Sequence, residues 1–144
     1  MYVQTILGTK GSKVVTTRPG ETIEATSRLL TANKIGAVIV VDEAGKVVGV
    51  ISERDILGAM AAHGARVTAM LVEELMTRDV LTCRPGDTIA EIMAVMTTRR
   101  VRHLPVVEGD KLLGVVSIGD VVKHRLDEAA LEVDSMRQYV LSAR

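Results

Sequence analysis

Two runs of uninterrupted apolar residues, Val38 to Val41 and Leu104 to Val107, punctuate a chain whose apolar positions otherwise recur at helical spacing. A run with no polar residue at alternate positions fits a strand covered on both faces. Ahead of the second run, Ile92, Met93 and Met96 fall on one helix face, as do Ile23 and Leu30 ahead of the first. Each of these helices has a start signal. Arg18-Pro19-Gly20 and Arg84-Pro85-Gly86 stop short β runs at Val14 to Thr16 and Val80 to Thr82. Thr22 or Thr88 then caps the helix, and Thr88 with Glu91 has capping-box spacing. Behind each apolar run, a turn at Glu43-Ala44-Gly45 or Glu108-Gly109-Asp110 predicts a hairpin. The returning strands end in Gly49-Val50-Ile51-Ser52-Glu53-Arg54-Asp55 and Gly114-Val115-Val116-Ser117-Ile118-Gly119-Asp120, where a further helix begins.

The order β-α-β-β-α thus occurs twice, and the residues themselves repeat. Val14 to Ile23 matches Val80 to Ile89, Ile35 to Asp42 matches Val101 to Glu108, and Lys46 to Gly49 matches Lys111 to Gly114 after a one-residue deletion. One such unit leaves a sheet face bare, and two facing copies would bury it. The expected fold is α+β, an α/β sandwich of two β-α-β-β-α repeats related by a pseudo-two-fold axis. The first repeat with an N-terminal segment spans 1–68, the second 69–125, and a helical extension 126–144. Gly64 to Met70 reads as a connection and Leu71 to Met76 as a short helical entry into the second copy.

After Asp120 no Gly or Pro interrupts the helix. Val122, Leu126, Ala129, Val133, Met136 and Val140 are spaced 4, 3, 4, 3 and 4 there, an a/d seam. This helix either packs back on its own domain or forms a dimer contact.

The two Ser-x-x-Asp turns carry the candidate chemistry. Ser and Asp cap helix N-termini, because their oxygens accept from the unpaired N–H groups of the first turn. The same end favours anions. Each turn is therefore either a well-capped junction or half of a nucleotide pocket.

Composition narrows the classes. At 144 residues and 47% hydrophobic content the chain is long enough and apolar enough to bury a core. There is no Phe or Trp and only Tyr2 and Tyr139, which removes the stacking platforms of single-strand nucleic-acid binders. Lys plus Arg total 18 and Asp plus Glu total 18, so no global basic field draws DNA or RNA. Cys83 stands alone and fits a reducing cytoplasm. No signal peptide or membrane span is expected, since charges interrupt every long apolar run.

The paired G-h-h-S-x-x-D elements, the Thr-x-Arg-Pro-Gly-x-Thr-Ile block and Val101-Arg102-His103-Leu104-Pro105-Val106-Val107 resemble a pair of cystathionine β-synthase (CBS) domains, a Bateman module. The opening Tyr2 to Leu7 and Ser52-Glu53-Arg54-Asp55 are similar to small stand-alone bacterial members. The resemblance implies a regulatory module with adenosine compounds bound in clefts between repeats: AMP, ADP, ATP or NAD(H), and in some members S-adenosylmethionine. It implies ribose-side roles for Ser52 and Asp55 and for Ser117 and Asp120. A carboxylate suits that role, because it can accept from both vicinal hydroxyls. The adenine side is implied at Thr77, Leu81, Val101 and Arg102 facing Ser52/Asp55, and at Lys10, Gly11, Val15, Ile35 and Gly36 facing Ser117/Asp120. Arg54 offers a phosphate contact in the first turn, where the second has Gly119; the second repeat instead offers Arg99, Arg100, Arg102 and His103. The two sites are expected to be chemically unequal. A homodimer, through the seam of the helix after Asp120, and an effector protein of unknown identity are expected, and no catalytic cofactor is.

Plainer readings stand beside these. The Ser-x-x-Asp turns can be caps only, the arginines a solvated face, His103 a packed residue, Lys10-Gly11 a loop, and Cys83 a small buried strand residue. Met60, Met70, Met76, Met93, Met96 and Met136 read first as core fillers. A ligand-free structural module that docks a partner would need nothing more. An enzyme is not expected: His63, His103 and His124 are scattered, one Cys makes no thiolate site, and there is no Gly-x-Ser-x-Gly or Walker motif. No metal site is expected.

Overall fold

The computed structural model describes residues 1–11 and 13–143; Ser12 and Arg144, the last residue of the 126–144 extension, lie outside the described residues. The elements run α1 (Val3–Lys10), β1 (Thr16–Thr17), α2 (Ile23–Asn33), β2 (Ala37–Val41), β3 (Val47–Ser52) and α3 (Glu53–His63). A 3₁₀ turn (Gly64–Ala69) and α4 (Val72–Leu75) lead to α5 (Ile89–Arg99), β4 (His103–Glu108), β5 (Lys111–Ser117) and α6 (Ile118–Ser142). The chain divides into two compact units interleaved in sequence. One holds Lys13–Thr82 and Val107–Leu113; the other holds Met1–Ser12, Cys83–Val106 and Gly114–Arg144.

In the first of these units β1, β2 and β3 form one sheet in that order. β1 runs parallel to β2, with Thr16 opposite Ile39, and β3 runs antiparallel to β2, with Val38 opposite Ile51. All five residues of β2 are buried, as an unbroken apolar run requires of a central strand covered on both faces. Thr22 caps α2 through its hydroxyl, which accepts from the Ala25 N–H at 3.1 Å. α2 then buries Ile23 and Leu30, which join Val38, Val40, Ile51, Ala59, Val67, Val72 and Met76 in one apolar core. The hairpin loop is longer than a tight turn. The Asp42 carboxylate accepts from the Ala44 and Lys46 N–H groups and shapes it.

In the other unit Thr88 caps α5 by accepting from the Glu91 N–H at 3.1 Å, half of the expected capping box. α5 buries Ile89, Ile92 and Met96 and packs against α6. β4 and β5 form a two-stranded sheet, of which residues 103–106 and 114–117 belong to this unit; their two-residue turn, Gly109-Asp110, lies in the first unit, and Gly109 takes φ +62° there.

Three expectations need correction. The first β run forms at Thr16–Thr17, sharing only Thr16 with the expected Val14 to Thr16. Val80 to Thr82 forms no strand: pairing there is reduced to one bridge, Cys83 with Val106, and a strand without a neighbour to pair along its length has no ladder to hold it. Met76 and Met96 fill the core, but Met60 and Met136 are exposed. Cys83 is buried, and burial, aided by the nearby Asp87 charge, pushes its thiol up to about 12. Among the described residues no helix is long and apolar enough to cross a membrane.

Each repeat is stitched to the segment that precedes the other. The Ile23 N–H donates to the Met70 carbonyl (2.8 Å), Val72 to Glu21 (2.9 Å) and Glu73 to Pro19 (3.0 Å). The matching set is Ile89 to Met1 (3.1 Å), Val3 to Asp87 (2.9 Å) and Gln4 to Pro85 (3.0 Å). Met1 to Leu7 is therefore the structural counterpart of Met70 to Met76. The same match holds in packing: a Cβ on Gly49 would lie 2.6 Å from the Met76 sulfur, and one on Gly114 2.6 Å from a Leu7 methyl.

Candidate functional site

Both Ser-x-x-Asp elements fold as strand-to-helix junctions with a complete capping box. At the start of α3 the Ser52 hydroxyl accepts from the Asp55 N–H at 3.3 Å. The Asp55 Oδ2 accepts from the Ser52 N–H at 2.9 Å and from the Ser52 hydroxyl at 3.0 Å. At the start of α6 the Ser117 hydroxyl accepts from the Asp120 N–H at 3.2 Å, and the Asp120 Oδ2 accepts from the Ser117 N–H at 3.0 Å. All four side chains are half-buried, which keeps the carboxylates fixed and still open to solvent. Capping alone accounts for these bonds. It also leaves each helix N-terminus presenting oriented donors and a rigid acceptor in one place.

The junctions differ in their neighbours. Lys10, the last residue of α1, places its Nζ 2.7 Å from Asp120 Oδ2 and 3.0 Å from the Val115 carbonyl. Burial alone would push the Asp120 carboxyl up. The hydrogen bonds from Lys10 and from the Ser117 N–H and hydroxyl, with the Lys10 charge, outweigh that and hold it below its ordinary value. At the first junction Val50, the counterpart of Val115, exchanges backbone hydrogen bonds in both directions with Thr77, at 3.0 and 2.9 Å. Arg54 is exposed in the first turn of α3.

The remaining candidates fall as follows. The Gly36 carbonyl accepts from the Glu53 N–H at 2.9 Å, which sets Gly36 against the first junction. The Arg102 carbonyl accepts from the Ile118 N–H at 2.8 Å, the same contact at the second. Ile35 is half-buried and packs on the first core. Val15 and Leu81 are half-buried residues of the unit that holds Ser52 and Asp55. Val101 and His103, both half-buried, belong with Ser117 and Asp120. Gly11 is the exposed C-cap of α1 at φ +91°. So Lys10, Ser117 and Asp120 form one cluster, with Arg102 on the adjoining backbone; Ser52, Asp55, Gly36 and Thr77 gather at the other junction. Arg99 and Arg100 are exposed, and Arg100 ends α5 in the left-handed conformation that Lys34 adopts after α2.

Two contributors were absent from the sequence reading. The Val115 carbonyl holds the Lys10 ammonium, and the His124 Nδ1 lies 2.9 Å from the Asp120 carbonyl one turn along α6. The signal for the first was present, in the match of Met1-Tyr2-Val3 and Ile6-Leu7 with Met70-Leu71-Val72 and Leu75-Met76. Nothing in local spacing marks the second. Among the described residues no group of His, Cys, Asp and Glu is placed to hold a metal ion.

Comparison with known proteins adds the family. The CBS domain profile matches residues 9–62 and 72–127. A crystal structure of a CBS-domain-containing protein from Agrobacterium tumefaciens is 42% identical with a TM-score of 0.84, covering 87% of this chain and 99% of that one. The CBS domain pair of protein MJ0100, crystallised with 5′-methylthioadenosine and S-adenosyl-L-methionine, is 27% identical in one form and 26% in another. In the latter the TM-score is 0.78, over 89% of this chain and 98% of that one. An uncharacterised 33.4 kDa protein in a ribosomal RNA operon of Thermofilum pendens is 42% identical over 96 residues, which are 67% of this chain but only 31% of that protein. With two profile matches in tandem and α6 extending beyond them, the chain belongs to the CBS-domain family and carries a CBS domain pair.

Proposed function

We propose that this CBS pair is a regulatory sensor of adenosine-containing small molecules, with Asp55 and Asp120 as ribose acceptors. The observation that carries the reading is the pair of matching junctions, each a carboxylate locked by a capping box at a helix N-terminus. The donor set fits such a ligand. The carboxylates accept from vicinal hydroxyls, the first-turn N–H groups and Ser hydroxyls meet ribose or phosphate, and Lys10 supplies a cation beside Asp120. Support also comes from MJ0100, whose CBS pair was crystallised with two adenosine compounds. Thr77, Leu81, Val101 and Arg102, and Lys10, Gly11, Val15, Ile35 and Gly36, would form the adenine sides, paired across repeats. The chain would act by binding and not by catalysis, in the cytoplasm, on an effector protein. A ligand regulates only if it favours one arrangement of the repeats over another.

A second reading has its own observation: because each Asp already serves as a cap, the junctions are complete without a ligand, which suits a structural module that docks a partner. Thermal unfolding with AMP, ADP, ATP, NAD+, NADH and S-adenosylmethionine separates the two. At 100 times its Kd one ligand stabilises the fold by about 2.7 kcal/mol. The sensor reading expects such a shift with one adenosine compound, lost in Asp55→Ala or Asp120→Ala. No shift with any of the six leaves the junctions as caps and favours the docking module. Chromatography of each nucleotide after incubation should return it intact; consumption would mean catalysis.

A further inference from the structure

The exposed half of α6 is an apolar feature that the sensor reading does not use. Val121 and His124 are its only buried residues among those described, and residues 129–143 are all exposed. Leu126 (65% exposed), Val133 (50%), Met136 (64%) and Val140 (53%) stand in water along one stripe with Ala129. Isolated helices of this length are marginal in water, and a stripe of large apolar side chains gains nothing by facing solvent. Leu126, Val133 and Val140 occupy the a positions of a heptad, and Ala129 and Met136 the d positions. β-Branched residues at a favour a two-stranded coil.

The charges beside the stripe choose the occupant and its direction. Glu132 lies at g and Arg137 at the e position of the next heptad, five residues on. In a parallel pair of identical helices, g meets the partner's following e, so Glu132 meets the partner's Arg137 and Arg137 meets the partner's Glu132. An antiparallel pair about the same seam would instead set Glu132 against the partner's Glu132, and Lys123 against the partner's Arg137. Leu131 and Leu141, also exposed, lie off the seam. We propose that α6 pairs with α6 of a second copy as a parallel two-stranded coiled coil, through Leu126, Ala129, Val133, Met136 and Val140 with Glu132–Arg137 pairs on both flanks. None of these residues belongs to either Ser-x-x-Asp junction.

Sedimentation equilibrium of the full chain tests it, with circular dichroism confirming that each variant is folded. The wild type sediments as a dimer at tens of micromolar. Met136→Asp raises the dimer dissociation constant by about 100-fold or more, since it buries two charges at one layer. Arg137→Glu raises it about tenfold, and Glu132→Arg with Arg137→Glu returns it to within about threefold of wild type. Met136→Cys under oxidised glutathione forms a cross-linked dimer. In the parallel coil the introduced thiols face each other across a d layer; in the antiparallel coil they stand about 15 Å apart along the axis. Buried Cys83, its thiol pushed up to about 12, stays out of the reaction. A monomer at those concentrations, a dimer insensitive to Met136→Asp, tightening by Arg137→Glu, or no cross-link at residue 136 would each overturn the proposal.

Discussion

The junctions at Ser52/Asp55 and Ser117/Asp120 have the same capping box and the same carbonyl closure from the residue just ahead of the neighbouring strand, Gly36 at one and Arg102 at the other. They differ in what meets the strand just before the turn. Val50 is paired by the backbone of Thr77, whereas the Val115 carbonyl is held by the Lys10 ammonium, which also grips Asp120. The cause lies in two short helices that the repeat makes equivalent. α4 stops at Leu75, so Thr77 runs extended along Val50; α1 continues to Lys10, which reaches back to the carboxylate. One repeat unit thus yields an open carboxylate in one copy and an ion pair in the other. A motif that recurs in sequence does not recur in electrostatics.

The most forceful way to break the comparison is to remove each carboxylate. If both junctions bind ribose, Asp55→Ala and Asp120→Ala each weaken an adenosine ligand about 10- to 100-fold, as expected for loss of charge-assisted bonds. Calorimetric titration reads this. A loss confined to one variant would assign the ligand to that junction and leave the other as a cap.

Next is the glycine that each β strand presents to the opposing helix. A Cβ on Gly49 meets the Met76 sulfur at 2.6 Å and the Thr77 carbonyl oxygen, part of the backbone, at 3.1 Å; on Gly114 the three nearest atoms all belong to the Leu7 side chain. Gly49→Ala therefore costs about 1–3 kcal/mol, whereas Gly114→Ala costs less than about 1 kcal/mol because the end of Leu7 can rotate away. Denaturant midpoints check the order, and equal losses would mean that Leu7 is as confined as the Thr77 backbone.

The caps should behave alike. Ser117→Ala removes the N–H bond that its hydroxyl accepts, Ser52→Ala removes the same bond and the one its hydroxyl donates to Asp55, and each lowers stability by about 1 kcal/mol. Unequal losses in urea unfolding would show that Lys10 supports the second junction.

The smallest effect isolates that lysine. The Asp120 carboxyl is held below its ordinary value, so its stabilising contribution is present above the unfolded carboxyl value of about 3.9 and is lost as pH falls through the lower folded value. Lys10→Met raises the folded value and moves the acid loss to higher pH. At neutral pH it costs less than about 1 kcal/mol, since both side chains are partly exposed. Carbon-detected NMR titration of Asp120 in the two proteins reads the shift directly; an unchanged midpoint would mean that Ser117 alone holds the carboxyl down.

Much of this architecture was legible because its signals are local. Thr22, Thr88, Ser52 and Ser117 cap helices three residues from the N–H groups they accept. The apolar run Val38 to Val41 became most of a buried central strand, Ala37–Val41, and the residue-by-residue repeat pointed to the CBS pair that the family profile then matched. The seam along α6 was legible too, but not whether its own domain covers it; the structure leaves it bare. Val80 to Thr82 has the same local appearance as the first β run, yet only Cys83 finds a partner.

The sequence by itself determined the elements, their caps and their repetition, since these depend on atoms within about a turn of one another. Only the tertiary structure decided that Met1 to Gln4 is stitched to Pro85 to Ile89, and that Lys10 finds Asp120, 110 residues away. That contact depends on where a helix stops and how strands line up far along the chain. Residue type and spacing record the capacity to bond; the fold alone sets which distant group is in reach.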